Sequence, residues 1–187
     1  MSIVTVVGNP REGSRTLAVA ARAAEELARQ LEQPPSGHVV DLAALAPNLL
    51  ARDPGPDVET ALKLALDADV LVVASPTYKG TYTGLLKVFL DRFPHQALAG
   101  KAALPLLVMG DPKHSLAVEV HLRPLLVELG AFVPTPGLAV LESVLPRDLL
   151  PGDLGAEGAS APELDELLDR WAGQVAPLLA YRRELPA

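Results

Sequence analysis

The segment Gly8-Asn9-Pro10-Arg11-Glu12-Gly13-Ser14-Arg15-Thr16 gathers hydroxyls, small residues and guanidinium groups into one short stretch. That set suits an anion. The first amides of a helix lack internal partners and sit at the positive end of its dipole, so a loop that opens a helix can hold a phosphate. Ser14 and Thr16 would add hydroxyl donors, and Arg11 or Arg15 a charge-assisted one. The spacing is not G-x-x-x-x-G-K-[ST], which argues against a triphosphate loop. Nor is it G-x-G-x-x-G, which argues against a pyrophosphate cradle. A single terminal phosphate, as on a mononucleotide, fits better. An ordinary strand–helix connection with Ser14 as N-cap fits the same residues. A second loop, Ser75-Pro76-Thr77-Tyr78-Lys79-Gly80-Thr81-Tyr82-Thr83-Gly84, is polar and carries Lys79 as its only charge. Its backbone amides and a tyrosine could meet a polar heteroaromatic ring, or Tyr78 and Tyr82 could simply pack within the loop or an interface.

Both loops need elements to place them. Ile3–Val7 reads as a buried strand. Leu17, Ala20, Ala21, Ala24, Leu27, Ala28 and Leu31 recur at helical spacing, which predicts a helix from about Ser14 to Leu31, broken by Pro34-Pro35-Ser36-Gly37. His38–Leu42 reads as a second strand, and a helix from about Asp57 to Leu66 follows Asp53-Pro54-Gly55-Pro56. Asp69–Ala74 is a third, continuously aliphatic strand of the kind covered on both faces. Leu85, Leu86, Val88, Phe89 and Leu90 belong to the next helix, and Ala102–Val108 to a fourth strand. A helix over Ser115–Leu129, closed by Gly130, should carry a kink or π-type bulge, because Pro124 cannot donate to Val120. Phe132-Val133 and Leu138–Leu141 read as a split fifth strand. Residues 143–160 read as a surface loop, and Ser160–Glu163 as a capping box. That box opens a last helix with Leu164, Leu167, Leu168, Trp171, Val175, Leu178 and Leu179 on one face.

Strands alternating with helices imply an α/β fold, a flavodoxin-like doubly wound sheet of five parallel strands in the order 2-1-3-4-5. In that order strands 1 and 3 are neighbours and the winding reverses between them. Ligands bind at such a reversal, beyond the carboxyl ends of the strands. The two unusual loops follow strands 1 and 3, so the topology brings them together.

The 187 residues suit a single domain spanning 1–187. The absence of cysteine excludes disulfides, thiolate metal sites and cysteine nucleophiles. A net charge of −7 with no basic tract argues against nucleic acid. Apolar runs too short for a bilayer, and no basic region ahead of an apolar segment, point to a cytoplasmic protein without membrane contact. His38, His95, His114 and His121 lack metal spacing, so no metal is expected. Asp67, Asp69, Glu119 and Glu128 read as solvated or capping acids, and no catalytic acid or base is assigned.

The paired loops resemble the NADPH-dependent FMN reductase family. Its pattern runs G-S-P-R then S-x-[ST] after strand 1, and S-P-x-Y-x-G-x-x-x-G-x-L-K after strand 3. This chain reads Gly8-Asn9-Pro10-Arg11…Ser14-Arg15-Thr16, then Ser75-Pro76-Thr77-Tyr78-Lys79-Gly80 through Gly84-Leu85-Leu86-Lys87. The wording is most similar to the flavin reductases that supply alkanesulfonate monooxygenases. The resemblance implies hydride transfer from NADPH to FMN, with the cofactors carrying the chemistry. It implies that Arg11, Ser14 and Thr16 bind the FMN phosphate, with Arg15 adjacent and Asn9 in place of the usual serine. Pro76, Thr77, Tyr78 and Lys79 would line the isoalloxazine, and the loop holding Gly110 and Asp111 would close its other side. An ionised Asp111 there would disfavour anionic reduced flavin. Arg11, Arg15 and Lys113 could favour the NADPH 2′-phosphate. The resemblance further implies a homodimer or homotetramer, with Phe89 and Phe93 facing a second subunit or the monomer's own core, and a flavin-dependent monooxygenase as partner. A subgroup tyrosine in the fourth helix is missing, and His121 is the nearest ring. Rival readings are a stand-alone quinone, azo-dye or chromate reductase, a flavodoxin-like electron carrier without NADPH activity, and a fold that binds no flavin.

Overall fold

The computed structural model describes residues 1–34, 37–146 and 161–184. Five parallel strands form one sheet in the order β2-β1-β3-β4-β5, as the alternation of elements predicts. They are β1 (Ile3–Val7), β2 (His38–Asp41), β3 (Val70–Pro76), β4 (Ala102–Met109) and β5 (Leu138–Leu141). Every residue of β1, β3 and β4 is buried, which explains their unbroken aliphatic composition. Successive residues of β3 feed opposite faces. Val70, Val72 and Ala74 pack with α1 (Arg15–Gln30) and α6 (Pro162–Glu184), alongside Leu27, Leu164 and Trp171. Leu71 and Val73 pack with α3 (Pro56–Asp67), α4 (Gly84–Leu90) and α5 (Arg123–Glu128), alongside Val58, Phe89 and Leu126.

Several boundaries differ from the sequence reading. Leu42 does not extend β2. Asp41 turns the chain by accepting a bond from the Ala43 amide at 3.1 Å, and opens α2 (Leu42–Leu45), which periodicity did not reveal. The helix expected over Ser115–Leu129 is not one regular helix. A 3₁₀ turn at Pro112–His114 precedes a π-helical segment, Val118–Leu122, and only then α5. The widening ends two residues before Pro124, whose ring cannot follow Val120 in an α-helical ladder. Phe132 touches the sheet only as an isolated bridge to Ala102, so the fifth strand is split as expected. Phe89 and Phe93 meet edge to face at 5.5 Å, both buried within this chain. Their apolar payload thus serves the monomer core. Leu178 departs from the buried face of α6 and is exposed. Ser160 of the expected capping box, Pro35 and Ser36 of the helix break, and 147–160 of the expected loop lie outside the described residues.

Candidate functional site

Strand register brings the two loops together. Val7 pairs with Ala74 at the carboxyl ends of β1 and β3, and the Gly8 amide continues the ladder to the Ala74 carbonyl at 2.8 Å. Thr83 then ties loop to loop. Its hydroxyl donates to the Gly8 carbonyl and accepts from the Leu86 amide at 3.2 Å, capping α4. Gly8 has to be glycine at this crossing: a Cβ there would lie 2.5 Å from Leu86 Cβ.

Within the first loop the polar side chains brace one another. Asn9, 6% exposed, accepts from the Arg11 amide at 3.0 Å and donates to the Thr16 hydroxyl at 3.2 Å. Ser14 caps α1 by accepting from the Leu17 amide at 3.2 Å. Ser14 and Thr16 are therefore both used as acceptors, and each keeps a hydroxyl hydrogen to donate. The amides of Ser14, Arg15 and Thr16, at the start of α1, find no acceptor among the described residues. The result is a set of donors matched to an anion. Arg11 is exposed, and its guanidinium has no partner among the described residues. Arg15 differs from expectation. Its guanidinium reaches Glu142 at 2.8 Å, so its free group at the loop is the amide. Ser14 is the N-cap, as one of the two readings of the loop has it, and its hydroxyl hydrogen remains available.

Asp41 lies beside Val7 at the same edge. Burial pushes its carboxyl above the ordinary range, the Ala43 amide opposes that shift, and the nearby Glu12 charge adds to it. A raised native pKa means the ionised side chain costs stability. The cost is absent below the unfolded pKa, grows as pH rises through the window between the two values, and is complete above the native one. Asp41→Asn keeps the cap and removes the charge. It is expected to stabilise the protein at neutral pH, with the gain fading as pH falls through the carboxylate range. Urea midpoints taken at about pH 7 and about pH 3.5 read this directly.

The second loop departs from expectation in its backbone. The Thr77 amide donates to the Val108 carbonyl at 2.7 Å, and the Tyr78 amide to the Thr81 carbonyl at 2.9 Å. Both are committed to the protein and unavailable to a ring. Lys79 (φ 54°) and Gly80 (φ 85°) make the turn between Tyr78 and Thr81, a conformation with two left-handed residues that tight hairpins use. Tyr78 is 43% exposed. Ser75, fully buried, accepts from the Thr83 amide at 2.9 Å and donates to the Pro76 carbonyl at 2.9 Å. The Thr77 hydroxyl oxygen is the one buried side-chain polar atom without a partner among the described residues. An unmet group of this kind costs about 1–3 kcal/mol. No local pattern in the sequence signals it.

In the third loop Gly110 is exposed and Asp111 caps the 3₁₀ turn, accepting from the Lys113 amide at 3.0 Å. Lys113 Nζ lies 2.6 Å from the other carboxylate oxygen and holds the Asp111 pKa below the ordinary value. Asp111 is therefore ionised but paired, which screens its charge. Lys113 is spent on that pair. His121 is exposed on the π-helical segment, and Glu119 is a structural tie: it pairs with Arg123 at 2.7 Å and accepts from the Gly137 amide. A separate open cleft of about 310 Å³ lies at the other end of the strands, lined by Met1, Asp69, Gly100 and Arg182. The Asp69 carboxylate there is already met by the Ser2 amide at 2.7 Å. No helix among the described residues is long and apolar enough to cross a membrane.

Residues 1–144 match the family model described as NADPH-dependent FMN reductase. The chain is similar to the FMN reductase (NADPH) of Escherichia coli K12, with 38% identity over 138 residues, covering 70% of this chain and 68% of that protein. It is 35% identical over 129 residues to the NADH-dependent FMN reductase SfnE of Pseudomonas putida, covering 67% of this chain and 68% of that one. Among solved structures it is similar to apo NADH:FMN oxidoreductase (EMOB), with a TM-score of 0.73, 33% identity, and coverage of 91% and 88% of the two chains.

Proposed function

Because the chain belongs to the NADPH-dependent FMN reductase family, we propose that the donor set of its first loop is the seat of the FMN phosphate. Asn9 shapes that loop. Ser14 and Thr16 donate their hydroxyl hydrogens, Arg15 its amide and Arg11 its guanidinium. Pro76, Thr77, Tyr78 and Lys79 lie along the isoalloxazine, and Gly110 and Asp111 close its far side. The residues present fit the group: donors without acceptors in one loop, and an unpartnered buried hydroxyl in the next. FMN supplies the chemistry, because its ring accepts a hydride from the nicotinamide of NAD(P)H. The protein's own part is to hold the phosphate, to place the ring against Tyr78 and to leave the opposite face open to the nicotinamide. No side chain is needed as acid or base.

We read residues 1–187 as one FMN-binding domain, supported by two apolar layers sharing one sheet. Reduced flavin goes on to a monooxygenase or another acceptor, and the protein works in the cytoplasm. The exposed apolar side chains Leu116, Val120 and Val127 lie on the face we assign to a second copy in a homodimer or homotetramer.

The single observation that carries the reading is the cluster of unmet donors at the start of α1, the Ser14, Arg15 and Thr16 amides and the Ser14 and Thr16 hydroxyl hydrogens, beyond the carboxyl ends of β1 and β3. The test is an absorbance titration of the purified protein with FMN, followed by anaerobic NADPH or NADH. Binding and then bleaching of the flavin band is the expected result. Flavin present before any addition would favour the stand-alone quinone, azo-dye or chromate reductase. Bound flavin that stays oxidised would favour the electron carrier. A protein that leaves the FMN spectrum and fluorescence untouched is not a flavin reductase.

A further inference from the structure

We propose that the Lys79 ammonium is a contact for the phosphate groups of the nicotinamide coenzyme, an inference that rests on the FMN reading of the crevice. Of the chain's five lysines, Lys63, Lys87 and Lys113 each pair with an aspartate, and Lys101 donates to the Ala68 carbonyl at 3.0 Å. Lys79 is exposed and has no partner among the described residues. Its backbone makes that exception costly. With φ at 54° it is the first of two left-handed residues between Tyr78 and Thr81, a place where asparagine or glycine sits with less strain. A cation kept on such a backbone and not used by the fold points to a ligand. The neighbouring charges narrow which ligand. Arg15 is engaged by Glu142 at 2.8 Å and Lys113 by Asp111 at 2.6 Å. In the FMN reading Arg11 is taken by the flavin phosphate. Among the described residues, Lys79 is then the one free lysine or arginine on the loops that follow β1, β3 and β4. Nicotinamide passes its hydride from over the flavin ring, so a dinucleotide carries its phosphates outward past whatever flanks that ring. In the same reading the flank is the turn from Tyr78 to Thr81. The turn lines the ring, and the ammonium, on its flexible four-carbon stem, remains for a phosphate.

Lys79→Asn removes the charge and suits the left-handed backbone, and Lys79→Arg keeps the charge. Titration calorimetry on the FMN-loaded protein gives affinities for two probes, NADP⁺ and NAD⁺, and the KM values for NADPH and NADH give the same comparison by turnover. Lys79→Asn is expected to weaken NADP⁺ about 3- to 10-fold, with Lys79→Arg within about twofold of the parent. Added salt should weaken the parent more steeply than Lys79→Asn, because the lost contact is between charges. The FMN affinity and the melting temperature of Lys79→Asn should not fall, because asparagine closes the same turn. A loss on NADP⁺ alone supports the inference and assigns Lys79 to the 2′-phosphate. An equal loss on NAD⁺ supports it through the pyrophosphate that both coenzymes share. Unchanged affinity for both probes would overturn the inference while leaving the FMN reading intact. A matching loss on FMN would also overturn it, since the lysine would then serve the flavin or the loop. A parent protein that does not bind FMN would sink the FMN reading itself. Should Lys79→Asn fail to fold, Lys79→Gly against Lys79→Arg gives the same comparison.

Discussion

Thr83→Val should lower the unfolding free energy by about 2–4 kcal/mol, although the two side chains have nearly the same shape. The valine fills the volume but leaves two buried groups unmet, the Gly8 carbonyl and the Leu86 amide. One loss unties the first loop from the second, and the other uncaps α4. Thr83→Ser retains both bonds and should stay close to the parent. Urea unfolding followed by circular dichroism measures the difference, and a Thr83→Val midpoint equal to the parent's would show that the tie has no weight. The same variant should bind FMN poorly at temperatures where it is still folded, because the two loops no longer hold a fixed spacing.

The second large effect concerns charge. Arg11→Ala is expected to raise the Kd for FMN about 10- to 100-fold, the range for losing a charge-assisted bond to phosphate. Riboflavin, which lacks the phosphate, should bind the variant and the parent alike. Arg11 is exposed and has no partner among the described residues, so its removal strands no buried group there and should not move the melting temperature. Parallel titrations with FMN and riboflavin check both halves. An equal loss on the two ligands would place Arg11 away from the phosphate. Arg15→Ala should matter less for FMN, because that guanidinium is engaged by Glu142 at 2.8 Å.

The sheet was legible in the sequence because its signals are local. The aliphatic runs of β1, β3 and β4 can only be strands covered on both faces, and Ser14 marks the start of α1. The two loops were legible as a pair because winding order places the ends of β1 and β3 together. What was missed depends on residues far apart in the chain or on very short elements. Nothing near Arg15 points to Glu142, 127 residues away, as its partner. Glu119 looked like a surface acid because the Gly137 amide it accepts from comes from beyond the next turn of chain. α2 is four residues long and gives no periodicity; only Asp41 as its cap announces it. The Pro124 distortion was readable because proline acts on the four residues before it, whatever the tertiary context. The amides of Thr77 and Tyr78 were expected to face a ligand, and they are instead consumed by β4 and by a tight turn, neither of which their sequence encodes.

The bond from Thr83 to Gly8 spans 75 residues. Neither partner can find the other until β1 and β3 have paired in parallel, which requires the intervening β2, α2 and α3 to be looped out or folded. The ligand crevice is therefore a late product of folding. Helices α1 and α6 can form and collapse on the chain without creating it. Refolding followed by helical circular dichroism should run ahead of refolding followed by quenching of added FMN. Whatever binds across these loops binds only the fully wound chain, and so draws the folding equilibrium toward it in proportion to its free concentration.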